Sequence, residues 1–154
     1  MSGAQVIAKE TSRGAAHLAL AGRFLRIAAL WLFACVALGV YMGVAHVHVD
    51  KQIHVHGNLL GWASCALFAA CHRLWPALGR SRLAHGHFWL HNIGLVALAI
   101  GLGLTARAHP AAAPFLGAGS VCLVAASAIF LVLVWRTPLA GTDQMAAVLR
   151  DGPT

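Results

Sequence analysis

Four stretches of this 154-residue chain stay apolar for about 20 residues at a time, and no other feature narrows its possible folds so far. They run from about Phe24 to Ala45, Ile53 to Trp75, Phe88 to Ala106 and Phe115 to Trp135. Each is long enough to cross a bilayer as a helix. Lipid leaves no solvent for unpaired backbone groups, so only helices or closed barrels can span it. A barrel would need apolar and polar residues to alternate, which these stretches do not do. The expectation is an all-α membrane protein, a four-transmembrane-helix bundle. The composition agrees: 60% of residues are hydrophobic and 10% charged, against about 25% charged in soluble domains. Little chain is left over for a separate catalytic domain.

The connections are short, at Ala45–Gln52, Pro76–His87 and Arg107–Pro114, and favour antiparallel neighbours. The expected organisation is a cytoplasmic N-terminal segment over 1–23, a transmembrane domain over 24–136 and a cytoplasmic tail over 137–154. Basic residues set the orientation, because Lys and Arg are retained on the cytoplasmic side. With the N-terminus inside, Lys9, Arg13, Arg23, Arg26, Arg73, Arg80, Arg82, Arg136 and Arg150 are internal and only Lys51 and Arg107 external. Both termini are then cytoplasmic, in the inner (cytoplasmic) membrane. The formal net charge of +7 is explained by this topology and does not point to nucleic acid. Residues 15–22 are candidates for an interfacial helix.

Ten histidines against four acids make imidazole the main resource for chemistry. Cys35, Cys65, Cys71 and Cys122 form no C-x-x-C pair, so they read as packing residues, and no C-x-x-C-H offers covalent haem attachment. His54 and His56 are the most informative pair. Two residues apart on an α-helix is about 200° of rotation, so they face apart and cannot chelate one ion. Each could serve a different centre, and neutral imidazole is a common axial ligand of haem iron. The plainer alternative is two interfacial imidazoles bonded to water. Gly57 and Gly61 allow close approach of another helix or a flat surface beside them.

The run His54-Val55-His56-Gly57-Asn58-Leu59-Leu60-Gly61-Trp62 resembles the H-V-H-x-x-x-L-G-W signature in the tenth helix of the catalytic subunit of cbb3-type haem-copper oxidases. Pro76 falls where that helix ends in the family, and His87-Phe88-Trp89-Leu90 with Ile93 and Gly94 is similar to the opening of the next helix. The resemblance thus covers parts of the last four helices of that subunit. It implies that His54 is a proximal ligand of one haem and His56 an axial ligand of another. The family's catalytic subunit has twelve helices in three groups of four, and this chain has one group. It also lacks an adjacent His-His pair, and its single tyrosine is Tyr41, so the family's copper site is not matched. Three copies would restore twelve helices, which makes a homotrimer the expected assembly.

The expectations for function follow. Foremost is a haem b membrane protein in electron transfer or diatomic gas (O2 or NO) binding, with an unspecified electron donor or acceptor. The alternative is a histidine-based copper or other metal-binding membrane protein without haem. Further candidate metal ligands are His46 and His48 in the first external loop, and His87 and His91, four apart on one helical face. That second pair also suits an inner haem, or a structural role in which His91 hydrogen-bonds across the bundle. Trp62, Trp75 and Trp89 are candidates to pack on a porphyrin, Trp75 more simply as a membrane-interface residue.

Overall fold

The computed structural model describes the backbone of residues 3–137, and the side chains of residue 5 and of residues 18–137. These residues are helical with short links, and no strand occurs among them. Helix α1 spans Gly3–Ala45. A second helical run covers residues 51–74 without a break: α2 (Lys51–His56), a π segment (Gly57–Ala63) and α3 (Ser64–Leu74). A 3-10 turn at Pro76–Arg80 leads into α4 (Arg82–Ala106), and α5 (Ala112–Arg136) follows. Three helices are long and apolar enough to cross a membrane: Leu18–Ala45, Arg82–Ala106 and Ala112–Arg136. Large apolar side chains such as Phe33, Val44, Val121, Val124 and Trp135 point outward, the reverse of a soluble protein.

Three boundaries differ from the sequence expectation. The alanine-rich stretch before Phe24 contains no proline, and α1 runs through it from Gly3. Leu20 and Ala21 are therefore bundle core, where an interfacial helix over 15–22 was expected. Helix α4 begins six residues before Phe88, because Ser81 caps it: its hydroxyl accepts the Ala84 N–H at 3.2 Å. Helix α5 begins at Ala112, before Pro114, since proline is tolerated in a first turn whose N–H groups have no helical partner. The expected tail beyond residue 137 lies outside the described residues.

Hydrophobic burial does little to join helices in lipid, so shape must do it. Helices α4 and α5 meet through glycine: a Cβ on Gly94 would lie 2.7 Å from Cys122 Cβ, and one on Gly101 2.7 Å from the Leu116 backbone nitrogen. Helix α1 meets the second run in the same manner. Cβ atoms on Gly57 or Gly61 would collide with Cys35 Sγ and the Trp31 ring respectively. Of the two uses open to these glycines, close helix approach is the one they serve.

The bundle has two ends. At the Asp50 end, His46 turns the chain out of α1 with φ 53°, a left-handed conformation that histidine adopts more readily than branched residues. There Arg107 donates to both carboxylate oxygens of Asp50, at 2.8 and 3.0 Å, and ties the two loops together. That guanidinium holds the Asp50 carboxyl below the usual carboxylate range. At the Pro76 end, Leu20, Phe24, Ala28, Cys65, Ala69, Leu78, Ala84, Phe88 and Leu133 form the larger core cluster.

Candidate haem and metal sites

His54 and His56 both lie in α2, ahead of the π segment, so the regular rotation of about 200° separates them. His54 reaches α1: its Nδ1 lies 2.8 Å from the Cys35 carbonyl oxygen, and its ring covers Gly39, where a Cβ would stand 2.8 Å from Cε1. His56 turns back on its own helix, with Nδ1 2.9 Å from the Gln52 carbonyl oxygen. A carbonyl only accepts, so in both rings Nδ1 carries the proton and donates. Nε2 is left with the lone pair, and a ligating histidine is most often held in this manner.

Beside His54 lies an open groove of about 390 Å³, lined by His54, Val55, Asn58, Leu59, Trp62 and Ala63. It lies on the outward face of the second run. Asn58 donates to the His54 carbonyl at 2.9 Å, and its amide nitrogen stands 3.4 Å from His54 Nε2, too long for a strong bond. The donor chemistry thus fits axial ligation at both positions, with Trp62 in the same groove as His54. Gly57 and Gly61 offer no flat surface, since Trp31 fills that face.

The π segment begins immediately after His56. Its wider turn lets the Ser64 N–H bond to the Leu59 carbonyl, and Ser64 Oγ donates to the same oxygen at 2.9 Å. The next carbonyl, Leu60, accepts from His91 Nε2 on α4 at 3.0 Å. His91 therefore makes the bond across the bundle that was one of its two expected roles. Asn92 instead donates to the Phe88 carbonyl within α4, at 2.7 Å.

The remaining candidates separate clearly. His46 and His48 are exposed in the Asp50-end loop. His87 and His91 are buried at 0% and 3% exposure, in a box that sequence reasoning did not assemble. Phe24 of α1, Phe68 and His72 of α3, His87 and His91 of α4, and Phe130 of α5 all meet there. His72 stacks on Phe24 with ring centroids 5.5 Å apart. Neither ring nitrogen of His87 has a hydrogen-bond partner among the described residues. The signal available in the sequence was His72 itself, one helical turn beyond Phe68 in an apolar run. Among the described residues, no three His, Cys, Asp or Glu side chains converge as a ready metal cage. Trp75 packs half-buried against the Pro76-end core, while Trp89 is exposed and lines a shallow groove with Arg23, Arg26, Ile27 and Phe88. Comparison of the chain with family models, curated proteins and solved structures finds no match.

Proposed function

We propose that this chain is an integral inner-membrane haem b protein, in which His54 and His56 are axial ligands, working in electron transfer or diatomic gas binding. The observation that carries the reading is the shared state of the two imidazoles. Each gives its Nδ1 proton to a backbone carbonyl, which leaves the lone pair on Nε2; at His54 that lone pair meets only the long 3.4 Å contact from the Asn58 amide, which a ligand would displace. Bound haem would supply reversible one-electron chemistry, and an open axial position would add gas binding. The chain's own contribution is placement: the Cys35 carbonyl fixes the His54 ring, the Gln52 carbonyl fixes that of His56, and Trp62 with Leu59 gives the groove beside His54 an apolar wall.

In this reading the run 51–74 is the fourth span, both termini are cytoplasmic, and the protein is related to the last four helices of the haem-copper oxidase catalytic subunit. The groove at His54 opens sideways, away from the chain's own core, which favours a homotrimer whose neighbouring copy closes it. The decisive measurement is a reduced-minus-oxidised spectrum of the purified protein. A sharp haem b α-band is expected, and its absence overturns the reading. Addition of CO then tests for an open position, and native mass spectrometry tests the trimer. A second reading, a copper protein without haem, is favoured by the buried imidazoles of the Pro76 end. Copper in a preparation that lacks the α-band would select it.

A further inference from the structure

The imidazole box at the Pro76 end holds a contradiction that the haem reading does not resolve. Burying a polar ring without partners is unfavourable, yet His87 is fully buried with both nitrogens uncommitted. Its neighbour His91 has given Nε2–H to the Leu60 carbonyl, which leaves Nδ1 with a free lone pair. The two are one turn apart on α4, at the i, i+4 spacing with which helices chelate metal through paired histidines. Their ring centroids are 5.9 Å apart. Two imidazole–metal bonds of about 2 Å, added to the reach from each ring centre to its nitrogen, require about 6 Å.

The kind of ion follows from what surrounds them. The facing rings are Phe24 of α1, Phe68 of α3 and Phe130 of α5, with His72 of α3 stacked on Phe24; none is an acid. The penalty for burying an ion rises with the square of its charge, so an uncharged box disfavours a dication. Zinc also demands about four ligands, and among the described residues no three His, Cys, Asp or Glu side chains converge here to supply them. Copper(I) is singly charged, accepts imidazole nitrogen and tolerates low coordination. We propose that His87 and His91 bind one cuprous ion within the bundle, screened from water by Phe24, Phe68 and Phe130. The site is independent of the haem reading, because it uses neither His54 nor His56.

The test uses the purified full-length chain in detergent, without oxygen, titrated with copper(I) against a competing chelator. One copper per chain is expected. His87→Phe and His91→Phe should each weaken binding by more than the roughly 10–100-fold that losing a ligand's hydrogen-bonding partner costs. His54→Ala should leave copper binding unchanged while removing haem. X-ray absorption of the copper-loaded wild-type protein should show nitrogen neighbours alone, a readout that does not depend on how the variants fold. Undiminished copper in folded His87→Phe protein, a sulfur shell from the cysteines, or preference for zinc over copper(I) would each overturn the proposal.

Discussion

The two ends of the bundle treat histidine in opposite ways. At the Asp50 end, His54 and His56 are half-buried, each has one nitrogen committed to a carbonyl, and a groove opens beside them. At the Pro76 end, His72, His87 and His91 are sealed among phenylalanines contributed by α1, α3 and α5. The first arrangement suits a large ligand entering from the side. The second encloses its imidazoles in ring contacts, with Phe68 and Phe130 both against His87. The contrast teaches that counting histidines along a membrane sequence says less than asking which ring nitrogens are already spoken for.

The largest expected effect lies at the open end. His54→Ala and His56→Ala should each abolish haem retention, read as loss of the α-band at equal protein; full occupancy in both variants would remove the distinction between the ends. Next is the seam that holds His54 in place. Gly61→Leu drives a side chain into Trp31, and overpacking of this kind costs about 1–3 kcal/mol. A lowered unfolding midpoint in detergent together with weakened haem binding is expected, and a change in neither would mean that the seam does not position the site.

At the closed end the two histidines should part in sign. In copper-free protein, His87→Phe replaces an unpartnered imidazole with an apolar ring of similar width, and stability should be unchanged or rise by about 1 kcal/mol. His91→Phe should cost about 0.5–1 kcal/mol by leaving the Leu60 carbonyl without its cross-bundle donor. If both variants lose stability equally, the two imidazoles are equivalent and the copper argument loses its starting point. The smallest effect belongs to the loop pair. The Asp50 carboxyl is held low in the folded state, so its contribution is present above the ordinary carboxylate range and fades as pH falls through the lowered value. Asp50→Asn should therefore shift the melting temperature slightly at neutral pH, less in high salt and not at all in strong acid.

Much of the architecture was legible in the residue pattern, and the reason is physical. The apolar blocks beginning at Phe24, Phe88 and Phe115 correspond to the three helices able to cross a membrane, because lipid selects for length and apolarity and both can be read in one dimension. The opposed directions of His54 and His56 were legible too, since they depend only on helical rotation. The rest depends on contacts between distant positions. Nothing local marks Trp31 as the ring that fills the notch of Gly57 and Gly61, or brings His72 of α3 to Phe24 of α1. The start of α1 at Gly3 is hidden for a different reason: polarity marks the edge of the apolar stretch but not of the helix, because an alanine-rich chain continues its hydrogen bonding past that edge.

The π segment has a consequence for how the two ends communicate. Its Leu60 carbonyl is bonded to His91, and four residues earlier in the same run stands His56. The segment is thus a strut between a candidate haem ligand and a candidate copper ligand, braced on opposite sides of the bundle. Tightening the π turns to α geometry would increase the twist of each residue in them and so rotate the chain beyond them. Such a twist would break the His91 bond while leaving the Cys35 anchor of His54 in place. The Leu60 carbonyl is thus the point at which the π segment is joined to α4, and its bond to His91 depends on the π turn being kept.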